Sequence, residues 1–172
     1  LSSAASDVFK RQGVEMVRVE STKDLLDALL PAAEQADIVV QAAAPADYRV
    51  AEVAPQKIKK QDGEPFVLTL TENPDVAKAV GENKRENQVL VGFAAETQAV
   101  RANATRKLDK KHLDFIVAND VTKPGAGFDV DTNIAAFLDH DGIEELPLMT
   151  KDALAHRILD RALAVLRAKQ AR

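Results

Sequence analysis

Three short and almost uninterrupted runs of apolar residues constrain the fold of this chain more than any other feature of its sequence. They are Ile38–Val40, Val89–Ala95 and Phe115–Ala118. Runs of this length and composition are typical of strands that are buried on both faces, as in parallel sheets. Helical patterns separate the runs, and strands that are joined through helices usually run parallel. The sequence therefore predicts an α/β fold with a Rossmann-like, doubly wound and mostly parallel sheet.

Capping residues, and apolar residues at helical spacing, mark the segments around these runs. Helices are predicted from Ser21 or Thr22 to about Gln35, from Asn73-Pro74-Asp75 onwards with Pro74 in the first turn, from Thr97 to about His112, and from Thr150 onwards. These helices supply the crossover connections that a parallel sheet requires.

Further segments are predicted to extend the sheet or to protrude from it. Val14–Val19 alternates apolar and charged residues, as a strand near a sheet edge does. Ile134–Leu138 and Ile143–Leu148 form a predicted antiparallel pair at the C-terminal end of the sheet. A protruding hairpin arm is predicted for Val53–Leu70, with Phe66–Leu70 as its returning strand.

Composition limits the classes of function that the chain can have. It contains no cysteine, which excludes disulfides, thiolate metal sites and a cysteine nucleophile. The net charge of -4 provides no overall attraction to nucleic acid or to an anionic membrane, and no apolar run in the sequence is long enough to span a bilayer. We therefore expect residues 1–172 to form a single cytoplasmic domain that binds neither nucleic acid nor membranes.

Common nucleotide and metal motifs are missing from the sequence or incomplete. There is no Walker A motif, and Gly125-Ala126-Gly127 lacks the third glycine of a dinucleotide fingerprint. Asp129-x-Asp131-x-Asn133 resembles the start of a calcium loop, but Ile134 stands where glycine is required and His140 where glutamate is required. The three histidines share no ligand spacing. No metal site built from protein side chains is predicted.

Two clusters of lysines stand out in this acidic chain, and each follows an apolar strand. They are Lys57, Lys59 and Lys60 on the predicted arm, and Lys107, Lys110 and Lys111 on one face of a predicted helix. Lysines also serve to discourage edge pairing of an arm or to solvate an exposed helix face. The functional alternative for Lys57, Lys59 and Lys60 is a mobile cationic lid that neutralises a phosphate chain. The occurrence of two such clusters favours a polyanionic ligand.

Several motifs together resemble one enzyme family. In chain order they are Ala46-Asp47-Tyr48-Arg49, Lys57-Ile58-Lys59-Lys60, Asn73-Pro74-Asp75, Val91-Gly92-Phe93-Ala94-Ala95-Glu96-Thr97, Ala118-Asn119-Asp120-Val121 and Asp129-x-Asp131-x-Asn133. From Asp37 to the C-terminus this order is similar to that of the phosphopantothenoylcysteine synthetases, the phosphopantothenate–cysteine ligases of coenzyme A biosynthesis. The combination is more specific than any single motif.

That resemblance implies a CTP-dependent ligase. Bacterial members of the family activate the carboxylate of 4'-phosphopantothenate with CTP, release pyrophosphate and form an acyl-cytidylate. The amine of cysteine then attacks this intermediate to give 4'-phosphopantothenoylcysteine. Magnesium is expected to accompany the CTP. The resemblance also implies a homodimer that is fused to, or associated with, a flavin-dependent phosphopantothenoylcysteine decarboxylase.

The resemblance also assigns a nucleotide site residue by residue. It implies that this site comprises Gln41, Ala42, Ala43, Asp47, Lys57, Pro74, Asp75, Val76, Ala77, Phe93, Lys107 and Lys111. Asp47 would contact the nucleotide and Phe93 would pack on it. Lys57 would be the catalytic lysine, because it would reach the triphosphate from the arm.

The chain departs from the family pattern at its beginning. Family members start with a glycine-rich turn and a phosphate-binding segment, which do not precede Leu1. We therefore expect this chain to retain much of the nucleotide site, to lack the phosphopantothenate pocket and to be weakly active or inactive alone. Two alternatives stay open. One is a nucleotide-binding module without catalysis, and the other is a dimerising subunit that pairs through Phe66–Leu70 or Ile134–Leu138.

Overall fold

The computed structural model describes residues 13–60, 63, 65–95, 100–119 and 130–171. Its helices are α1 (Thr22–Gln35), α2 (Val76–Glu82), α3 (Val100–Lys111) and α4 (Lys151–Gln170). Its strands are β1 (Ile38–Gln41), β2 (Tyr48–Val50), β3 (Leu70–Glu72), β4 (Val89–Ala95), β5 (Phe115–Asn119), β6 (Thr132–Asn133), β7 (Ala135–Leu138), β8 (Ile143–Glu145) and β9 (Met149–Thr150). The main sheet has the strand order β1-β4-β5-β7-β8, and two small pairs, β2-β3 and β6-β9, lie outside it.

The main sheet changes from parallel to antiparallel across its width. Val40 of β1 is opposite Val91 of β4, and Gly92 of β4 is opposite Ile116 of β5, both in parallel register. Strand β7 pairs antiparallel with β5 on one side and with β8 on the other. The predicted α/β sheet, with its antiparallel C-terminal pair, is therefore confirmed.

Helices cover both faces of this sheet. On one face, Leu90 belongs to a core cluster with Ala33 of α1, Val80 of α2 and Leu108 of α3. On the other face, Val91 belongs to a second cluster with Leu154 and Ile158 of α4. Because successive side chains of a strand point to opposite faces, β4 has to be apolar at consecutive positions. This explains why its sequence is an uninterrupted apolar run.

The helices begin at residues whose side chains cap them. Ser21 Oγ accepts a hydrogen bond from the Asp24 N–H at 3.1 Å, and the Asp24 carboxylate accepts one from the Ser21 N–H at 3.0 Å. Thr150 caps α4 as predicted. Helix α2 begins later than predicted, because Asp75 is its N-cap. Pro74 therefore precedes this helix and does not lie in its first turn.

Two predicted strands are wrong. Val14–Val19 forms no strand, and its residues are exposed. The returning strand of the arm is β3, so Phe66–Leu70 belongs to it only through Leu70. Segment 51–69, between β2 and β3, is held at its base by the Ala51 N–H, which donates to Thr69 O at 2.9 Å. Alternating residues form a strand only where a neighbour satisfies their backbone groups. Among the described residues, Val14–Val19 has no such neighbour, and Phe66–Leu70 has one only at Thr69 and Leu70.

The remaining predictions divide between confirmed elements and residues outside the described ranges. The antiparallel pair, Ala135–Leu138 with Ile143–Glu145, lies within the predicted segments. Thr97 as a helix cap and Gly125–Gly127 as a turn lie outside the described residues, as does the start of Asp129-x-Asp131-x-Asn133. Within the described ranges, no helix has the length and apolar composition to cross a membrane.

An ionic cluster ties several elements together at the amino end of the sheet. The Asp114 carboxylate accepts hydrogen bonds from the Leu90 N–H at 2.7 Å and from Lys84 Nζ at 2.9 Å. Lys169 Nζ, from the last turn of α4, lies 2.5 Å from the same carboxylate and donates to Gln88 O at 2.7 Å. Burial lowers the pKa of Lys84, and the attraction of Asp114 only partly offsets that effect. The cluster therefore joins β4, β5 and α4.

Removing the carboxylate from this cluster is expected to destabilise the fold. Asp114→Ala removes the carboxylate that pairs with Lys84 and Lys169 and leaves the Leu90 N–H without this acceptor, so we expect the free energy of unfolding to fall by about 3 kcal/mol. The control is Asp109→Ala, because the Asp109 side chain is 67% exposed. This control is expected to change stability by less than about 0.5 kcal/mol. Urea denaturation of both variants measures the difference, and equal losses would contradict the role of the cluster.

Candidate functional site

A cavity of about 440 Å³ lies at the carboxyl ends of β1, β4 and β5. This edge is where open α/β sheets bind ligands, because the loops that leave the strands converge there. The walls come from the loop after β1, the segment that leads into α2, the end of α3, and the region where β6 lies beside the start of α4. The cavity therefore joins parts of the chain that are distant in sequence.

Most of the predicted nucleotide-site residues line this cavity. They are Gln41, Ala42, Ala43, Asp47, Pro74, Asp75, Val76, Ala77, Phe93, Lys107 and Lys111. Lys57 is not among the lining residues and lies exposed on segment 51–69. The structure thus brings eleven of the twelve residues together, whereas the role of each single residue stays a prediction.

Asn73 connects two walls of the cavity, which the sequence did not indicate beyond its position before a helix. Its backbone N–H donates to Asp47 O at 2.8 Å, and its Nδ2 donates to Ala46 O at 2.8 Å. Its Oδ1 accepts a hydrogen bond from Arg49 Nη1 at 3.1 Å. The same Arg49 nitrogen donates to Glu72 O at 2.6 Å. The loop after β1 is therefore fixed relative to the segment that leads into α2.

Small residues line the cavity where β1 and β4 end. Ala42–Ala44 are exposed, and Gln41 Nε2 donates to Ala43 O at 3.2 Å, which fixes the start of this loop. At Gly92 an added Cβ would lie 2.7 Å from Leu113 Cδ1. The half-buried side chain of Phe93 follows. A ligand can therefore approach the backbone after β1 and contact an aromatic ring at the end of β4.

Asp75 links the start of α2 to the end of α3. Its carboxylate accepts a hydrogen bond from the Lys78 N–H at 3.1 Å and lies 3.0 Å from Lys111 Nζ. Partial burial by itself would raise the pKa of Asp75. The hydrogen bonds from Lys111 and from the Lys78 N–H outweigh that effect, so the pKa lies below its ordinary value of 3.8. Asp75 is therefore held as a carboxylate within the cavity wall.

Gly81 allows this ion pair to form, because it lets α2 approach the end of α3. A Cβ at Gly81 would lie 1.9 Å from Lys111 O, a distance that no side chain tolerates. His112 follows α3 with a φ of 51°, which turns the chain towards β5. The contact between the two helices therefore determines where Lys111 enters the cavity.

Besides Asn73, three polar lining residues were not predicted as part of the site. Asn119 ends β5, Asn133 lies in β6, and Lys151 begins α4. Asn133 Nδ2 donates to Asn119 Oδ1 at 3.1 Å, and Asn133 is only 7% exposed. Both asparagines occur in motifs noted in the sequence, but their contact depends on strand packing and has no local signal.

The balance of charges in the cavity suits an anionic ligand. Lys107, Lys111 and Lys151 bring three positive charges to its lining, and Asp47 and Asp75 bring two negative charges. Within the lining, Asp75 is paired with Lys111, and the three lysines outnumber the two carboxylates, although the chain as a whole is acidic. In the part of the chain that the structure describes, no group of three or more histidine, aspartate or glutamate side chains could hold a metal ion.

Comparison with known families identifies the chain. Residues 1–166 match the family described as the DNA/pantothenate metabolism flavoprotein C-terminal domain. The chain belongs to this family. One curated relative is the coenzyme A biosynthesis bifunctional protein CoaBC of Bacillus subtilis (strain 168). This chain is 45% identical to it over 152 residues. That match covers 88% of this chain and 37% of the relative.

Further matches agree with the family assignment. CoaBC of Escherichia coli (strain K12) is 40% identical over 149 residues, which cover 86% of this chain and 37% of the relative. The chain thus spans a little over a third of these relatives. A crystal structure of the C-terminal domain of CoaBC superposes with a TM-score of 0.76 at 37% identity, over 94% of this chain and 73% of that one.

A more distant structure supports the fold alone. It is a Cab2 mutant in complex with phosphopantothenate-cysteine, which superposes with a TM-score of 0.70 over 90% of this chain and 53% of that one. The sequence identity is 16%. The C-terminal domain fold of this family is therefore kept at low sequence similarity.

The ion pair of Asp75 is expected to make stability depend on pH. Asp75→Asn keeps a capping oxygen but loses the charge, and we expect it to lower the free energy of unfolding by about 0.5–1 kcal/mol at pH 7. Because folding lowers the pKa of Asp75, this stabilisation is complete well above pH 3.8 and is lost as the pH falls through 3.8 to the lowered value. Denaturation of both proteins between pH 7 and 3 measures the effect. A constant difference across this range would contradict it.

Proposed function

We propose that this chain provides the CTP-binding part of a phosphopantothenate–cysteine ligase of coenzyme A biosynthesis. The observation that carries the proposal is the convergence of eleven residues, which the resemblance assigns to the nucleotide site, on one cavity at the carboxyl edge of a parallel sheet. These residues come from the loop after β1, the start of α2, the end of β4 and one face of α3. The names of the CoaBC relatives, and the phosphopantothenate-cysteine in complex with the Cab2 mutant, agree with this class of reaction.

The chemistry of the lining suits each part of a nucleoside triphosphate. Phe93 offers an aromatic surface for stacking, and Asp47 offers a carboxylate that accepts hydrogen bonds from hydroxyl or amino groups. Lys107 and Lys111 supply positive charge on one side of the cavity. The exposed backbone of Ala42–Ala44 leaves room for close approach. CTP is the nucleotide that the family resemblance favours.

The proposed reaction has two steps. A carboxylate oxygen of 4'-phosphopantothenate attacks the α-phosphorus of CTP, and the bond from that phosphorus to pyrophosphate breaks. The neutral amine of cysteine then attacks the acyl carbon of the acyl-cytidylate, CMP leaves, and an amide bond forms. The first step brings two anions together, so positive charge and orientation provide most of the acceleration. No protein nucleophile is needed, because the nucleotide activates the acid.

The triphosphate requires more positive charge than the lining lysines supply. Lys57 is proposed to provide part of it from segment 51–69. Magnesium is proposed to arrive with the nucleotide, because phosphate oxygens, water and one or two carboxylates are its usual ligands. Among the lining residues, Asp75 is engaged by Lys111, so Asp47 is the carboxylate that the ion would meet. Bound there, the ion would neutralise the triphosphate and assist departure of pyrophosphate.

The partners are also part of the proposal. We propose a homodimer, which is supported by the exposed apolar side chains of segment 51–69, where Phe66 is 64% and Val67 80% exposed. Fusion to, or association with, a flavin-dependent decarboxylase is supported by the bifunctional relatives, of which this chain covers 37%. A nucleotide-binding module without catalysis is the alternative, and it would bind CTP without releasing pyrophosphate from CTP, phosphopantothenate and cysteine.

A thermal-shift experiment tests the nucleotide site. The melting temperature is measured with CTP, with ATP and without ligand, each in the presence and absence of Mg²⁺. Binding to the native state raises the melting temperature, so we expect the largest increase with CTP and Mg²⁺ and a smaller one with ATP. If no nucleotide changes the melting temperature, the proposal fails.

Substitution of Lys57 tests whether segment 51–69 contributes to phosphate binding, because Lys57 lies outside the cavity lining. Lys57→Ala is expected to weaken CTP binding about tenfold, since a charge-assisted contact to phosphate is lost, and to leave cytidine binding unchanged. Lys59→Ala is the matched control, because Lys59 is exposed on the same segment. Isothermal titration with both ligands measures the affinities. Equal losses in the two variants would mean that the segment contributes only general positive charge.

A further inference from the structure

The carboxylate of Asp47 lines the cavity without a contact that fixes it. Asp47 is exposed, and among the described residues no hydrogen bond or ion pair involves its side chain. A carboxylate in this state is available to a ligand, but its position depends on the backbone that carries it. The residues that hold the backbone at Asp47 therefore determine where the carboxylate lies.

Asn73 holds this backbone at two neighbouring carbonyl groups. Its N–H donates to Asp47 O at 2.8 Å, and its side-chain nitrogen donates to Ala46 O at 2.8 Å. Because a carbonyl oxygen can only accept, the amide of Asn73 must turn its nitrogen towards Ala46. Asp47 is thus attached through its main chain to the segment that leads into α2.

Arg49 fixes the orientation of the Asn73 amide. With the amide nitrogen directed towards Ala46, the amide oxygen lies on the other side, and Arg49 Nη1 donates to it at 3.1 Å. The same Arg49 nitrogen donates to Glu72 O at 2.6 Å. Arg49 lies in β2 and Glu72 ends β3, which is the partner of β2. The amide is therefore held to the β2-β3 pair and cannot rotate without losing a bond on each side.

These hydrogen bonds act on geometry more than on stability. They lie at the surface, where water competes for the same groups, so each adds little to the free energy of folding. A carboxylate that has to meet a ligand at hydrogen-bond distance is much more sensitive, because a displacement of about 1 Å is enough to weaken a productive contact severely. Loss of the bonds should therefore affect binding more than folding.

From this geometry we propose that Asn73 and Arg49 are positioning residues, which hold the Asp47 carboxylate where it accepts a hydrogen bond from a hydroxyl or amino group of the nucleoside. The inference rests on the proposed function, because it takes the ligand of the cavity to be a nucleotide. Asn73 itself lines the cavity, but its amide is engaged on both sides within the protein. Its effect on binding is therefore exerted through Asp47.

A double-mutant cycle separates this role from a direct contact or a general distortion. Asn73→Ala is combined with Asp47→Ala, and Arg49→Lys, which keeps the charge but shortens the side chain, is taken through the same cycle. The control is Asn83→Ala. Asn83 Nδ2 donates to Ala79 O at 2.8 Å at the end of α2, and Asn83 is not among the lining residues, so a similar exposed bond is lost elsewhere.

The affinities for CTP, cytidine and inorganic tripolyphosphate are measured by titration calorimetry. Mg²⁺ is left out, so that contacts of Asp47 with the ion do not contribute. We expect Asn73→Ala to bind CTP and cytidine about tenfold more weakly, because a hydrogen bond to a charged group is lost, and to bind tripolyphosphate as the wild type does. Arg49→Lys should show a smaller loss of the same kind. In the Asp47→Ala background, neither substitution should weaken binding further.

Melting temperatures without ligand complete the comparison. The control should lower the melting temperature as much as Asn73→Ala, by about 2–4 °C, and leave all three affinities unchanged. If Asn73→Ala does not fold, the cycle with Arg49→Lys decides.

Several results would overturn the positioning role while the nucleotide site stands. They are unchanged CTP binding in Asn73→Ala or Asp47→Ala, an equal loss of tripolyphosphate binding, and losses that simply add in the double variant. If the wild type binds neither CTP nor cytidine, the proposed function fails and the positioning role fails with it.

Discussion

The burial of β4 on both faces is the constraint on which the rest of this structure depends. Val89, Leu90 and Val91 are each 0% exposed, and they alternate between the two core clusters. The strand must therefore lie inside the sheet, with β1 on one side and β5 on the other. Since all three run parallel, their carboxyl ends meet at one edge. The position of the cavity follows from the hydrophobic requirement of a single strand.

The parts of the fold that are encoded locally could be predicted from the sequence. Continuous apolar runs indicated β1, β4 and β5, and capping residues indicated the starts of α1 and α4. Val14–Val19 and Phe66–Leu70 were misjudged, because strand formation depends on a partner that the local pattern does not reveal. The contact between Lys84 and Asp114 at the amino end of the sheet could not be predicted either, because the two residues are 30 positions apart in the sequence.

The sequence likewise predicted only part of the candidate site. The motif resemblance gathered residues of four elements into one proposed site, and eleven of them line one cavity. What it did not supply was the second set of polar contacts. Asn73 connects two walls through hydrogen bonds, one of which spans 27 positions, and Asn133 donates to Asn119 across 14 positions. Such contacts arise when the tertiary fold brings distant segments into hydrogen-bonding distance. No periodicity or spacing of residues in the sequence indicates them.

Helix α4 has a mechanical consequence for any ligand in the cavity. Its first residue, Lys151, lines the cavity, and its last turn carries Lys169, which lies against Asp114 at the far end of the sheet. Twenty residues of helix span roughly 30 Å, so α4 acts as a strut that is anchored at both ends of the sheet. The wall at Lys151 is stiff for this reason. A ligand in the cavity therefore meets, at Lys151, a wall whose position depends on the contacts of Lys169 at the opposite end of the sheet.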